Sequence, residues 1–245
     1  MRKAIFGSRR ALRGAVGLGA AVASLAVFAG AANAQVFVIA PDQPVNASCP
    51  ASPPASSTLS TAINSANTNS DSVNTIVLTP GLYCPVDAAG QTTLTIAKNL
   101  NIVADHSFQN TQGDANLAIE GTDVVQNNNA MFTVPSGVTF TLEGSDAEND
   151  PNNGALGGIV GVQAGGTLNL YGESVIGNGG AGALFGVAGS TINVNESNID
   201  INFQTGIESS GVVNINHSEV TQNNEDLTIV SGGVFNVNNS LIADS

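Results

Sequence analysis

The last third of the chain returns repeatedly to one short pattern, and that recurrence constrains the fold more than any other feature. Residues 166–170 (GTLNL) are followed by 190–194 (STINV), 212–215 (VVNI) and 234–237 (VFNV). A Ser-x-Ile or Ser-x-Val unit comes next each time: Ser174 with Ile176, Ser197 with Ile199, Ser218 with Val220, Ser240 with Ile242. These serines stand 23, 21 and 22 residues apart. Polar turns follow at Asn178, Asn202 and Asn223, and glycines open the next unit at Gly182, Gly206 and Gly232. Within a unit, apolar and polar residues alternate with period two, Leu168 and Leu170 on one side, Asn169 and Tyr171 on the other. That is strand patterning. A unit of about 22 residues cannot bury its own apolar face, so successive units must stack as coils about 4.8 Å apart. The expected fold is all-β: a parallel β-helix, or β-solenoid, filled with Ile, Val, Leu and Phe.

Upstream coils are less regular. Residues 75–83 (TIVLTPGLY) read as a strand, a Pro80-Gly81 turn and a second strand. Segments 94–96, 100–103, 118–119, 131–134 and 138–142 continue the pattern. Before them, Leu59, Ala62, Ile63 and Ala66 have the spacing of a short amphipathic helix that caps the stack. Ser245 falls at the turn position held by Asn178 and Asn223, so the last coil reads as incomplete. The expectation is a longer β-helix of which this is a piece, or self-association through the C-terminal end, where Val234, Phe235, Val237, Leu241 and Ile242 would form an open layer.

Charge is segregated along the chain. Five of the six basic residues lie within residues 2–13, and all 19 acidic residues come after residue 35. The first 34 residues run from that basic stretch to an apolar run, 15–30, to Ala32-Asn33-Ala34. This is the order of an export signal, with the mature chain expected to start at Gln35. Ser8-Arg9-Arg10 is similar to a twin-arginine signal, but Arg13 stands where that pattern prefers an apolar residue, so the export route stays open. Three segments result: a signal peptide at 1–34, a cap segment with the short helix at 35–74, and the β-helix at 75–245. The exported body carries Lys98 alone against 19 acids, a net charge of −18. Nucleic-acid binding by phosphate neutralisation is excluded, and no second apolar run is long enough to span a membrane. A secreted, periplasmic or cell-surface location follows. In an oxidising compartment, Cys49 and Cys84, the two cysteines of the chain, are expected to pair, with two free buried thiols as the alternative.

Residues 59–63 (LSTAI), 75–83 (TIVLTPGLY) and 94–102 (LTIAKNLNI) resemble the opening region of bacterial secreted right-handed parallel β-helix proteins, and the Gly-rich repeats ending in Asn resemble their later coils. These include polymorphic outer-membrane-type repeats, adhesin-like passengers and the pectate lyase-like superfamily. The resemblance covers roughly residues 49–245. It implies a right-handed coil and leaves function open, because one scaffold hosts many activities. Lyases of that superfamily use acidic calcium ligands and a basic proton acceptor, whereas the exported body has no Arg, and Lys98 reads as a solvated turn residue. The polygalacturonase motifs of the same fold are absent.

Three groups of residues remain as candidates. Glu173, Glu196 and His217 each come just before the repeat serine and are expected to occupy one column. Stacked on neighbouring coils, the two carboxylates would lie about 5 Å apart, the separation used by retaining glycosidases; three exposed turn residues is the alternative. In the acidic stretch 143–154, Asp146, Glu148, Asp150 and Asn152 alternate like calcium ligands. Pro151 breaks an EF-hand frame, and a solvated loop competes with calcium. Finally, Asn169, Asn193, Asn214 and Asn236 should form one outward row, and Asn195, Asn216 and Asn238 a second below Tyr171. Stacked amides stabilise a solenoid surface; a flat polar face can also dock a glycan or a protein. An adhesin-like binding or structural module is therefore expected, with a carbohydrate-active enzyme as the alternative.

Overall fold

The computed structural model describes residues 34–44, 57–85, 93–104, 117–121, 130–149, 158–172, 174–176, 182–200, 202 and 205–243. The chain is a parallel β-solenoid with three sheets. Sheet A stacks β1 (Ala34–Ile39), β2 (Val73–Leu78), β5 (Asn99–Ala104), β8 (Thr139–Glu143), β11 (Thr167–Tyr171), β14 (Thr191–Asn195), β17 (Val212–Asn216) and β20 (Val234–Asn238). Sheet B stacks β3 (Gly81–Tyr83), β6 (Leu117–Gly121), β9 (Asp146–Asn149), β12 (Ser174–Ile176), β15 (Asn198–Asp200), β18 (Glu219–Thr221) and β21 (Leu241–Ala243). Sheet C stacks β4 (Leu94–Thr95), β7 (Phe132–Val134), β10 (Val160–Val162), β13 (Gly182–Gly186), β16 (Thr205–Ser209) and β19 (Glu225–Ile229). The chain passes from A to B to C and then rises one level. Among the described residues, no helix is long and apolar enough to cross a membrane.

The period-two alternation sends one set of side chains inward. In sheet A, Ile76, Ile102, Leu142, Leu170, Val194 and Ile215 stand in one register column, all buried. Leu100, Phe140, Leu168, Ile192 and Val213 form another. Val175, Ile199 and Val220 face them from sheet B. Apolar burial along these columns is the main favourable term. The acidic stretch expected as a loop is partly strand: Asp146–Asn149 pairs with β6 and β12. In the last coil, Val234, Val237 and Leu241 are 49 %, 47 % and 50 % exposed.

The opposite end is closed by α1 (Thr58–Thr68), whose Leu59, Ala62, Ile63 and Ala66 enter the core. Ser57 caps it, its hydroxyl accepting from the Ser60 N–H at 3.1 Å. The Asp42 carboxylate accepts from the Thr58 N–H at the helix start and from the Cys84 N–H, tying helix to sheet B. At the far end, Asn67 both donates to the Thr95 carbonyl and accepts from the Ala97 N–H. Lys98 is not simply solvated: its ammonium donates to the carbonyl of Asn69, the C-cap residue, where a cation complements the helix dipole. Tyr83 is fully buried with its phenol oxygen 3.0 Å from the Ile39 carbonyl and 2.8 Å from that of Thr79, and burial raises its pKa. Cys49 lies outside the described residues.

Polar residues also stack inside. Asn202 and Asn223, each 2 % exposed, occupy the same corner in successive coils. The Asn223 Oδ1 accepts from both the N–H and the Nδ2 of Asn202, at 3.1 and 2.7 Å. Each Nδ2 also donates down to a sheet-B carbonyl, Val175 for Asn202 and Ile199 for Asn223. Asp226 ends the series, its Oδ1 accepting from the Asn223 N–H and Nδ2. The backbone of Gly206 leaves room for that amide, since a Cβ there would lie 2.8 Å from the Asn223 Nδ2. Asn223→Ala strands donors of Asn202 and the Asp226 oxygen, each unpaired group costing about 1–3 kcal/mol. It should lower unfolding stability by about 2–4 kcal/mol in denaturant titration, with the slope unchanged; a loss under about 1 kcal/mol would mean this ladder is not a structural element.

Candidate functional site

Three kinds of outward surface result from the stack. On sheet A, one register row runs Thr75, Asn101, Thr141, Asn169, Asn193, Asn214 and Asn236. Beside it runs a second: Val77, Val103, Glu143, Tyr171, Asn195, Asn216 and Asn238. A third consists of Thr139, Thr167, Thr191, Val212 and Val234. These strands pair in register without a bulge, so the face is regular in two directions, about 4.8 Å between strands and about 6.7 Å between rows. Glu143 is the one charged residue in these three rows.

The first row is a hydrogen-bonded ladder. The Nδ2 of Asn193 donates to the Oδ1 of Asn169, that of Asn214 to Asn193, and that of Asn236 to Asn214, each at 2.8 Å. Asn169 reaches the Thr141 hydroxyl at 3.4 Å. The second row is looser. Asn216 donates to the Asn195 Oδ1 at 3.1 Å, Asn195 reaches the Leu170 carbonyl at 3.4 Å, and the Asn238 amide has no side-chain hydrogen bond among the described residues. Tyr171, at the foot of the three asparagines, is 45 % exposed.

Next to the second row the chain turns from sheet A into sheet B through a left-handed residue. Gly144 and Gly172 take this place in lower coils, with φ of 74° and 59°; Glu196, His217 and Asn239 take it above, with φ of 50°, 49° and 48°. Their N–H groups show the equivalence: Gly144 donates to the Tyr171 carbonyl, Gly172 to Asn195, Glu196 to Asn216 and His217 to Asn238. A serine follows in the upper coils. The Ser218 hydroxyl accepts from the Ser197 N–H and that of Ser240 from the Ser218 N–H, both at 3.1 Å, stapling coil to coil.

This register revises the alignment of the acidic candidates. Glu173 lies outside the described residues, but strands on both sides of it are offset by the same amount, with Tyr171 opposite Asn195 and Ser174 opposite Asn198. The residue level with Glu196 is therefore Gly172. Matching Ser174 to Ser197 misses the true offset by one residue. Glu196 and His217 are exposed corner residues on adjacent coils, and the His217 Nε2 lies 3.4 Å from the Asn239 Nδ2. Of the calcium candidates, Asp146 and Glu148 belong to β9, opposite Ser174 and Ile176, while Asp150 and Asn152 lie outside the described residues. Among the described residues no three His, Cys, Asp or Glu gather as a metal site.

The second surface is on sheet B, where acidic residues recur in the register columns. The register columns flanking the buried Val175, Ile199 and Val220 contain Asp146, Asn198 and Glu219 on one side, and Glu120, Glu148 and Asp200 on the other. The separate columns expected from the repeats did not single out Asp200; the signal was its place two residues after Asn198, on the same face of a strand. The Oδ1 atoms of Asn198 and Asp200 are both buried without a hydrogen-bond partner. Burial raises the Asp200 pKa, the nearby Glu219 charge adds to the rise, and Asn198 opposes it. The third surface, on sheet C, includes Phe185, whose ring lies over Gly161, where a Cβ would meet it at 2.4 Å.

No protein-family model, curated protein or solved structure matches the chain.

The Asp200 environment has a pH consequence. Its carboxyl holds a proton to higher pH in the folded chain than in the unfolded one. Between the ordinary carboxylate pKa and the raised one, the folded state binds more protons, so stability falls as pH rises through that window and stays lower above it. Asp200→Asn should raise the melting temperature near pH ~7 and flatten the stability profile above pH ~4. An unaltered profile would show that Asp200 ionises without cost.

Proposed function

We propose that this protein is an exported surface or extracellular binding module, adhesin-like, which docks a repetitive uncharged partner, a glycan or a protein, on the outward face of sheet A. One observation carries this reading: a body of net charge −18 presents a flat, in-register face whose three rows contain a single charged residue, Glu143. Of the 19 acids of the chain, Glu143 alone lies on the eight strands of this sheet. The amide ladder supports the reading further, because side chains already fixed by their neighbours lose little rotamer entropy on binding. Basic residues 2–13, the apolar run and Ala32-Asn33-Ala34 support export. The alternative, a carbohydrate-active enzyme, gains no acid pair from the register, since Gly172 stands level with Glu196.

Two features belong to the same reading. Cys84 is 2 % exposed and not a free thiol, which supports its pairing with Cys49. The exposed aliphatic side chains of β20 and β21 support self-association through that coil. Non-reducing peptide mapping that leaves both cysteines alkylatable removes the first, and light scattering that finds only monomer at high concentration removes the second.

Docking through a neutral face should resist salt, whereas docking through the sheet-B carboxylates should weaken as salt screens them. Exported protein applied to arrays of glycans and cell-surface proteins should keep its binding from about 0.05 to 1 M salt. The double variant Asn193→Lys, Asn214→Lys should lose that binding and keep its circular dichroism. Binding that survives in the double variant, or that disappears in salt, would overturn sheet A as the docking face.

A further inference from the structure

The two asparagine rows differ in how tightly neighbouring coils hold their amides, and the looser row has more bonding capacity left for a ligand. In the first row each central amide both donates to and accepts from its neighbours at 2.8 Å. Those bonds hold the coils together and leave each side chain half spent. In the second row the contacts lengthen to 3.1 and 3.4 Å and then stop at Asn238. An amide carries two N–H donors and an acceptor oxygen with two lone pairs, so Asn195, Asn216 and Asn238 retain outward hydrogen-bonding capacity.

We infer that Glu143, Tyr171, Asn195, Asn216 and Asn238 form a linear subsite for an uncharged glycan chain lying along the stacking axis. The inference rests on sheet A being the docking face, and assigns within that face the ligand class and the residues that read it. These five residues are consecutive members of one register row, at about 4.8 Å per step, so the subsite is roughly 19 Å long. Tyr171 supplies a ring with a polar tip, 45 % exposed, on which the apolar face of a sugar can rest. Below it Glu143 offers two acceptor oxygens for a pair of hydroxyls, and above it three amides offer donors and acceptors together. Hydroxyl-rich ligands match both; an aliphatic ligand would leave these polar groups desolvated and unpaired.

Other occupants fit less well. A peptide bound in extended form uses a free sheet edge and pockets for alternate side chains, and this row runs along the C-terminal ends of strands of which all but β20 are paired on both sides. An anionic glycan would meet Glu143 and a body of net charge −18. A cationic partner would find Asp200 and Glu219 in the sheet-B columns and Glu143 alone on this face.

The test uses the full exported chain and three soluble probes: neutral β-1,4- and β-1,3-linked glucan hexasaccharides and a uronate-containing oligosaccharide of similar length, followed by calorimetry and by amide chemical shifts. The neutral probes should bind, the uronate should bind at least about tenfold more weakly, and shifts should concentrate at residues 143, 171, 195, 216 and 238. Tyr171→Ala and Asn216→Ala should each weaken binding by about tenfold or more, with melting temperatures close to that of the parent. Asn193→Ala should weaken binding less than Asn216→Ala while lowering the melting temperature more. Glu208→Gln, on sheet C, should change nothing. If neither glucan binds, or the uronate binds best, the ligand class is wrong. If a glucan binds and Asn193→Ala costs more affinity than Asn216→Ala, the row assignment is wrong although sheet A still docks the ligand. If a glucan binds equally well to the Asn193→Lys, Asn214→Lys variant, the docking face itself is misplaced.

Discussion

Parallel, in-register stacking of one coil on the next is the interaction on which everything else in this molecule depends. Each strand of an interior coil hydrogen-bonds upward and downward, so a residue type that recurs at the strand period is copied into a column normal to the strands. Inward columns become a continuous apolar core. Outward columns become rows, and any interaction between like residues is then repeated for the length of the stack. The amide ladder, the serine staples and the buried Asn202–Asn223–Asp226 series are all the same device at different corners. None of them would exist if the register slipped by one residue, because period-two strands would then turn core residues outward.

How much of this was legible beforehand follows from which part of each coil obeys a strict period. The strands do. Asn169, Asn193, Asn214 and Asn236 could be aligned from sequence because each sits between two apolar residues of a strand, and helix α1 was legible from Leu59, Ala62, Ile63 and Ala66. The corners do not obey a period. Ser174 looks like Ser197, but the left-handed corner residue stands two positions before the first, at Gly172, and one before the second, at Glu196, and only the backbone bonds reveal that match. The role of Lys98 was hidden for a different reason: its partner is a backbone carbonyl at the end of a helix 29 residues away, and no side-chain pattern announces a carbonyl. Likewise Asp226 reads in sequence as one more acid in an acidic chain, and becomes the terminus of a buried amide series only when Asn223 is placed above Ile199.

Charge distribution follows from the same architecture. Because each sheet contributes its own outward columns, a preference expressed at two positions per coil paints an entire side of the molecule. The acids Glu120, Asp146, Glu148, Asp200 and Glu219 fall in the columns of sheet B, while sheet A keeps Thr, Asn and Val. Other acids lie at corners and on sheet C, Glu196, Glu208 and Glu225 among them, so sheet A stands out for its single carboxylate, Glu143. Non-glycine residues in left-handed corners show that this ordering tolerates local strain: Glu196, His217 and Asn239 stand where lower coils use glycine.

The amide ladder of the first row also has a direction. Every amide in it gives its hydrogen toward the N-terminal end, from Asn236 down to the hydroxyl of Thr141, and those below Asn236 receive from the C-terminal end. Side-chain dipoles so aligned polarise one another, and the row becomes a vector painted on the surface, with a bare carbonyl oxygen at its upper terminus. A polymer that itself has two unlike ends would feel the difference between lying along that vector and lying against it. On the proposed docking face, the ladder would then set which way round such a polymer lies.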